Sequence, residues 1–333
     1  MRSERREAPW EALRPEDVGL PAASPMPFTH SRAGARSPLL LSFPHVGLQW
    51  PESVSPAPSV NLARNADFEV DAIYPEPATC PADRIRGRYS RLVIDLNRAH
   101  DDVSPLLVPD HPTANPRRSP GGGEREQVIE NRGVLWSHAV GRIPILKSLP
   151  YSAFEQRIEQ FHRPYHQALE ILLAERVEEF GYAILLDGHS MPSAVQQDLV
   201  LGTLDGTSCG PEILEIAEQA LSAPSPRAGV RLRFSRDVPY KGGEIVRRFG
   251  RPDHGVHALQ LEVNRALYMD EYRLQLMPKP TWSGSGTPPR GHPKARGAEL
   301  YRRIDALVRA LSDVSLASRA DSSTHSGMPV QDA

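Results

Sequence analysis

The sequence predicts one α/β domain in which helices cover both faces of a mainly parallel sheet, giving a three-layer sandwich. Short apolar runs, which are typical of buried strands, alternate along the chain with longer segments of helical periodicity. Strands separated by helices are joined by crossover connections, and these make neighbouring strands parallel. With 333 residues, the chain is long enough to bury one large core of this kind.

The strands and helices follow from these patterns. The predicted strands are 39–43, 92–96, 182–186, 229–234 and 257–263. The longest helix begins near Ser152, which is followed three residues later by a glutamate in a capping-box arrangement, and its apolar residues recur every three or four positions up to Phe180. Pro164 is expected to kink or break this helix. Further helices are predicted after Pro211 and from about residue 298 to 311.

Proline and glycine mark the edges of the predicted domain. We expect a flexible, proline-rich segment over residues 1–36, a single α/β domain over 37–315 and a disordered polar tail over 316–333. Two internal segments rich in proline and glycine, 104–123 and 278–293, are expected to be loops at the surface or at the rim of the active site.

The composition argues against several classes of function. Lysine and arginine total 39 against 41 acidic residues, and no basic stripe suggests a nucleic-acid partner. No apolar run approaches the roughly 18 residues of a membrane span, and the charged N-terminus lacks the apolar region of a signal peptide. The two cysteines, Cys80 and Cys209, are far apart in the sequence and form no CxxC pair. We therefore expect a cytoplasmic protein that acts on a small molecule, and the sequence leaves its oligomeric state open.

Two histidines follow apolar runs in the same way. His45 comes directly after the predicted strand 39–43, and His189 follows the predicted strand 182–186 within an Asp-Gly-His-Ser turn. In open α/β sheets, catalytic and ligand-binding groups collect at the carboxyl ends of the strands. Two histidines and one carboxylate there would suit a catalytic zinc site, in which water completes three protein ligands. Alternatively, either histidine only caps a strand end by hydrogen bonding.

An acidic segment between these histidines offers the third ligand. Asp67 and Asp71 are four residues apart and are expected to share one face of a helix that starts in this segment. Acidic residues at a helix N-terminus also complement the helix dipole, which requires no metal ion.

Two more groups have residue types suited to catalysis. Asn97 and Arg98 directly follow the predicted strand 92–96, and their amide and guanidinium could bind a substrate carboxylate. Glu262 is a single acid within an apolar strand, a costly position unless the carboxylate is paired or acts as a general base beside a metal ion. Ordinary ion pairs, Asp95 with Arg98 and Glu262 with Arg265, are the alternatives.

Seven blocks of the sequence, in order over about residues 40–275, resemble the N-formylglutamate amidohydrolase family. The blocks are SFPHVG (42–47), DFEVDAIY (67–74), RLVIDLNR (91–98), DGHSMPS (187–193), LGTLDG (201–206), PYKGG (239–243) and ALQLEVNRALYMD (258–270).

This resemblance implies a phosphorylase/hydrolase-like fold, similar to that of the zinc carboxypeptidases. It also implies metal-dependent hydrolysis of an N-acyl amino acid, in the best-known case N-formyl-L-glutamate to formate and L-glutamate during histidine breakdown. A carboxypeptidase-like peptidase and a non-catalytic ligand-binding relative are the alternative functions. The acyl and amino-acid specificity is left open.

The resemblance also assigns roles to individual residues. His45 and His189 match the histidine ligands of one zinc ion, and Glu262 matches the catalytic glutamate. Asn97 and Arg98 match the carboxylate-binding pair. The carboxypeptidases carry a glutamate ligand three residues after the first histidine, where this chain has Leu48. We therefore assign the acidic ligand to Asp67, with Asp71 in reserve. For the second carboxylate of a glutamate substrate, Lys241 and Arg247 are the candidates.

Overall fold

A seven-stranded mixed sheet forms the centre of the protein, seen in a computed structural model that describes residues 12–113, 132–226, 230–278 and 293–316. The strand order is β1-β3-β2-β6-β9-β7-β8. The strands of this sheet are β1 (Phe28–Ser31), β2 (Leu39–Phe43), β3 (Asp83–Gly87), β6 (Ala183–Met191), β7 (Leu199–Gly202), β8 (Phe234–Arg236) and β9 (Val256–Asn264). Two small hairpins contain β4 (His138–Ala139) with β5 (Ile143–Pro144), and β10 (Met269–Asp270) with β11 (Gln275–Leu276).

The four central strands β3, β2, β6 and β9 are all parallel. Strand β1 is antiparallel to β3, and β7 is antiparallel to β9, while β8 is parallel to β7. The prediction of a mainly parallel α/β sheet is therefore confirmed, with antiparallel pairings toward both edges. Because the central strands are parallel, their carboxyl ends meet at one edge.

Side chains alternate between two cores, one on each face of the sheet. On β2, Leu39 and Leu41 belong to one apolar cluster, whereas Leu40 belongs to the other. All three are fully buried, as expected of a strand covered on both faces. The helices that provide the cover are α1 (Tyr151–Arg157), α2 (Arg163–Phe180), α3 (Pro211–Ser222), α4 (Glu244–Phe249) and α5 (Pro293–Ser312). Helices α3 and α5 cover the face of Leu39, and α1, α2 and α4 cover the face of Leu40.

The long helix predicted from Ser152 contains a π-helical turn over Ile158–His162, between α1 and α2. Pro164 lies in the first turn of α2, where a residue without an N–H is tolerated. The predicted interruption is thus present, but it takes the form of a widened turn just before the proline.

Two predicted strands are wrong in whole or in part. Residues 92–96 are buried, but they form turns and irregular backbone instead of a strand. Within the predicted strand 229–234, regular strand structure begins only at Phe234. Strand β2 pairs with β6 and with β3, and the sequence analysis missed β3 because its sequence Asp-Arg-Ile-Arg-Gly carries three charged residues and so lacks an apolar pattern.

The structure also bears on the predicted domain boundaries. The described part of the segment 1–36 includes β1, which pairs with β3, and Val18 and Phe28 belong to the core. The ordered domain therefore begins before residue 37. Most of the tail 316–333, and residues 114–123 and 279–292 of the two predicted loops, lie outside the described residues.

Two predictions from composition can be compared with the structure. Cys80 and Cys209 are both buried and free. Within the described ranges, we find no helix with the length and apolar character that crossing a membrane requires.

Candidate active site

A cavity of about 230 Å³ lies at the carboxyl ends of the central strands. His45 follows β2 by two residues, whereas His189 and Glu262 stand near the carboxyl ends of β6 and β9. Six of the eight predicted site residues line the cavity: His45, Asp67, Asn97, Arg98, His189 and Glu262.

His45, Asp67 and His189 form a buried cluster whose ligand atoms all lie within 4.8 Å of one another. The Oδ2 atom of Asp67 is 2.9 Å from Nδ1 of His189 and 3.4 Å from Nδ1 of His45. The backbone N–H of Asp67 donates to the carbonyl of His45 at 2.9 Å, which ties the two segments together. Two imidazole nitrogens and one carboxylate are a donor set that suits zinc.

Each histidine of this cluster is oriented by a second carboxylate. Nε2 of His45 donates to Asp95 at 2.7 Å, and Nε2 of His189 donates to Asp187 at 2.7 Å. Metal-binding histidines commonly use one ring nitrogen in this way, which fixes the tautomer and directs the other nitrogen to the ion. Nδ1 of His45 is buried and, among the described residues, accepts and donates no hydrogen bond. The residues present thus fit a metal ion bound by both Nδ1 atoms.

The charges in the cluster support this interpretation. Burial works against ionisation of Asp67, but the neighbouring imidazoles of His189 and His45 outweigh burial and hold its pKa well below the usual range. Burial likewise disfavours a charged His189, but Asp187 and Asp67 raise its pKa well above the ordinary value. The cluster therefore favours positive charge at Nδ1 of His189. A proton and a metal ion compete for the same lone pair there.

Asp71, the reserve ligand, lies outside the cluster. Its carboxylate is 2.9 Å from the guanidinium of Arg86, and burial raises its pKa. The expected helix does not contain both aspartates, because Glu69 adopts a left-handed conformation (φ 56°) and a short 3₁₀ helix begins only at Val70. Asp67 and Asp71 therefore do not share a helical face.

Glu262 lines the cavity without a cationic partner among the described residues. Its Oε1 atom accepts a hydrogen bond from Nε2 of Gln260 at 3.0 Å. Arg265, its predicted alternative partner, contacts Glu271 at 2.9 Å and the carbonyl of Ala66 at 2.7 Å. Burial raises the pKa of Glu262 to about 7, a value that suits a general base at neutral pH.

Asn97 connects several parts of the site. Its Oδ1 atom accepts from the N–H of Ile245 at 2.8 Å, and its Nδ2 atom donates to Gln260 at 3.2 Å. Nδ2 also lies 3.2 Å from Nε2 of His189. A Cβ atom at Gly243 would overlap this amide, so the glycine permits the close approach.

Arg98 does not form the predicted alternative ion pair with Asp95. Asp95 instead contacts Arg91 at 2.6 Å and His45 at 2.7 Å. Arg98 donates to the carbonyl of Asn97 at 3.1 Å, and no carboxylate among the described residues pairs with it. Arg98 lines the cavity, and a guanidinium is suited to binding an anion.

Several known proteins are similar to this chain. Residues 37–269 match the model of the N-formylglutamate amidohydrolase family. The chain belongs to this family. It is 30% identical over 258 residues to the N-formylglutamate deformylase of Pseudomonas putida, covering 71% of this chain and 83% of that protein. It is 31% identical over 252 residues to the enzyme of the same name from Pseudomonas aeruginosa, covering 71% and 84%.

A solved structure of the same family is also similar. The crystal structure of N-formylglutamate amidohydrolase from Ralstonia eutropha aligns with a TM-score of 0.67 and 28% sequence identity, covering 86% of this chain and 96% of that one. The resemblance inferred from the seven sequence blocks is thereby confirmed, together with the α/β fold and its large, mostly parallel sheet.

Two predicted substrate contacts of this family member lie outside the cavity. Lys241 pairs with Asp205 at 2.8 Å on the surface, and its side chain is 55% exposed. Arg247 pairs with Glu244 at 2.5 Å within α4. Neither residue is part of the cavity lining.

Other residues that the sequence analysis did not select do line the cavity. They include Gln260, Trp136 and four arginines besides Arg98: Arg64, Arg91, Arg132 and Arg265. Gln260 could have been found, because it is two residues before Glu262 and side chains two apart on a strand share a face. Arg64 lies in a short 3₁₀ helix (Leu62–Asn65) and Arg132 forms an isolated bridge with Trp136. Elements this short carry no hydrophobic period that would indicate which way their side chains point.

Proposed function

We propose that this chain hydrolyses the amide bond of N-formyl-L-glutamate, giving formate and L-glutamate, with one divalent metal ion, most suitably zinc. The observation that carries the proposal is the buried group His45, Asp67 and His189 beside Glu262 in one cavity. The names of the relatives from two Pseudomonas species support the substrate.

His45 and His189 would hold the ion through Nδ1 and Asp67 through Oδ2. When bound, zinc supplies a Lewis acid that makes water nucleophilic near neutral pH and stabilises negative charge on the amide oxygen. Asp95 and Asp187 keep Nε2 of each histidine protonated, which leaves Nδ1 as the ligand atom.

Glu262 is the general base in this proposal. Gln260 occupies Oε1, so Oε2 is the oxygen that takes the proton from the attacking water. The protonated carboxyl then donates this proton to the nitrogen of the departing amino acid, which prevents it from leaving as an unstable anion. Burial supports both roles, since it brings the two protonation states of Glu262 close in free energy near pH 7.

The arginines of the cavity are suited to a substrate with two carboxylates. Arg98 and Arg132 both line the cavity. We assign the α-carboxylate to Arg98 and the side-chain carboxylate to Arg132. Nε of Arg98 is 3.5 Å from the carbonyl of Arg132, so the two residues are neighbours. The guanidinium of Arg132 also lies 4.9 Å from the centre of the Trp136 ring, which helps to orient it.

The shape of the site favours this function over the alternatives. A cavity of about 230 Å³ is smaller than the pockets of about 300–1,000 Å³ that take drug-sized ligands. It therefore suits a small acyl amino acid better than a peptide. We also propose that the fold is that of the zinc carboxypeptidases, and the small cavity is what separates this chain from a peptidase of that fold. The presence of both histidines and Glu262 argues against a non-catalytic relative. That the protein works in the cytoplasm, without nucleic-acid or membrane partners, stays a prediction.

The test is a panel of substrates for the purified protein supplied with zinc. We expect release of formate from N-formyl-L-glutamate, weaker turnover of N-acetyl-L-glutamate and little cleavage of short peptides. Cleavage of peptides in preference to formylglutamate would favour the peptidase, and no turnover of any substrate by metal-loaded protein would favour the binding protein.

A further inference from the structure

Two buried histidines outside the cavity form hydrogen bonds with the backbone of the segment that carries Asn97. Nε2 of His162 donates to the carbonyl of Arg98 at 2.8 Å, and Nε2 of His166 donates to the carbonyl of Leu96 at 2.9 Å. The two histidines therefore bind the backbone on either side of Asn97.

These bonds replace the support that a strand would provide. Residues 92–96 form no regular strand, although they precede a pair of side chains that enter the site. Backbone groups buried without partners are costly, and the histidine N–H groups satisfy the carbonyls of residues 96 and 98. The path of the backbone at Asn97 and Arg98 thus depends on side chains from the long helix.

The histidines themselves form a rigid stack. The rings of His162 and His166 lie 4.3 Å apart at an angle of 21°, and the ring of Phe249 is also stacked with that of His166, at 5.8 Å and 19°. Burial lowers the pKa of both histidines, that of His162 to about 4, so both are neutral at pH 7. A buried imidazole is a costly residue where an apolar one would pack, unless its hydrogen bond is needed.

The π-helical turn Ile158–His162 ends at the residue that binds the carbonyl of Arg98. Such turns are frequent at functional sites because they change the direction of side chains locally. His166 follows one regular turn later in α2. The helix therefore presents both rings to the 96–98 segment from consecutive turns.

We propose that His162 and His166 are positioning residues that hold residues 96–98 so that Arg98 meets the α-carboxylate of the substrate. This inference rests on the proposed function, because that function gives Arg98 its role. His162 and His166 do not line the cavity and act only through the backbone.

The experiment compares His162→Leu, His162→Gln and Phe161→Leu in the full-length, zinc-loaded protein. Phe161 is also buried on this helix and packs on Tyr89, so its variant controls for general destabilisation. We expect His162→Leu to raise KM for N-formyl-L-glutamate about 10-fold, the effect of one lost hydrogen bond. KM for the same compound with its α-carboxylate blocked as an amide should change less than about 2-fold. His162→Gln, which keeps an N–H donor, should restore part of the loss, and Phe161→Leu should affect both substrates alike.

A second measurement does not depend on turnover. Amide hydrogen exchange, followed by mass spectrometry on peptides covering residues 92–99, should be faster in His162→Leu than in wild type and Phe161→Leu. Unchanged exchange, or an equal rise in KM for both substrates, would overturn the positioning role. A wild-type protein that binds zinc but hydrolyses neither substrate would instead refute the proposed function, and the exchange result would still decide whether His162 holds the segment.

Discussion

His189 and Glu262 lie directly opposite each other on the neighbouring parallel strands β6 and β9. This register places a candidate metal ligand beside the candidate general base. Asp187 and Gln260, also paired in the register, lie two residues earlier and contact His189 and Glu262 respectively. A shift of one residue in this pairing would turn one set of side chains to the opposite face of the sheet. The sheet itself thus fixes the geometry of half of the site.

Removal of the Asp187 carboxylate, which binds Nε2 of His189, should weaken metal binding although Asp187 is not itself a proposed ligand. Asp187 accepts hydrogen bonds from Nε2 of His189 and from Ser42, both at 2.7 Å. We expect Asp187→Asn to lower zinc affinity about 10–100-fold, as is typical for such outer contacts. Titration against a chelator of known affinity measures this. Asp205→Asn, which alters an exposed aspartate that pairs with Lys241, is the control and should leave the affinity unchanged.

The variant Glu262→Gln should show whether Glu262 is the general base or a metal ligand. The amide cannot take a proton, so we expect turnover to fall about 10²–10⁴-fold while zinc content stays at the wild-type level. Loss of zinc in this variant would make Glu262 a ligand instead.

The raised pKa of Glu262 also predicts the pH dependence of the wild-type protein. A base must be ionised to act, so kcat/KM should rise with pH through the pKa of Glu262. Burial sets this pKa at about 7, and a bound cation nearby can only lower it. We therefore expect an acid limb with an apparent pKa of about 7 or below, absent in Glu262→Gln. A limb well above pH 7 would contradict this assignment.

Each of the two substrate carboxylates should depend on a different arginine for binding. We expect Arg98→Lys to reduce kcat/KM for N-formyl-L-glutamate strongly and for its α-amide only weakly, because lysine keeps the charge but loses the planar fork. Arg132→Gln should discriminate in the same way between N-formyl-L-glutamate and N-formyl-L-glutamine. Lys241→Ala is the control, since Lys241 lies outside the cavity. An equal loss on both members of a substrate pair would show that the arginine is structural.

The sequence predicts the candidate site residues at strand ends better than those between regular elements. His45 and His189 follow apolar runs, a pattern that predicts both at one edge of a parallel sheet, and Glu262 is conspicuous as a single acid within an apolar strand. Asp67 and Asp71 could not be separated, because the left-handed residue at position 69 that divides them leaves no trace in the hydrophobic pattern.

The errors have similar physical causes. The apolar run 92–96 satisfies the pattern of a strand, but its backbone is held by loop and histidine contacts instead of a ladder. Lys241 and Arg247 have the charge that a substrate carboxylate requires, yet Asp205 and Glu244 pair with them. Such long-range or side-chain contacts are decided by tertiary structure, which periodicity does not encode.

The buried histidines of the long helix should make the protein sensitive to acid. The pKa of His162 is about 4 when folded, below the 6.5 of a free histidine, because burial disfavours the charged ring. Between these values the unfolded chain binds a proton that the folded chain does not, so stability falls as the pH drops from 6.5 to 4. Over this range His162 contributes a loss of about 3 kcal/mol. In urea titrations we expect His162→Gln to show a shallower decline than wild type, whereas the exposed His254→Gln should match wild type.

The most direct test of the account is a metal titration of protein that has first been stripped with a chelator. We expect stripped wild-type protein to release no formate from N-formyl-L-glutamate, and zinc to restore activity in proportion to the amount bound, up to one equivalent. His45→Ala, Asp67→Ala and His189→Ala should fail to bind that equivalent tightly, whereas Asp71→Asn should bind it as wild type does. Full formate release by stripped protein, or one tightly bound zinc in all three ligand variants, would contradict the account.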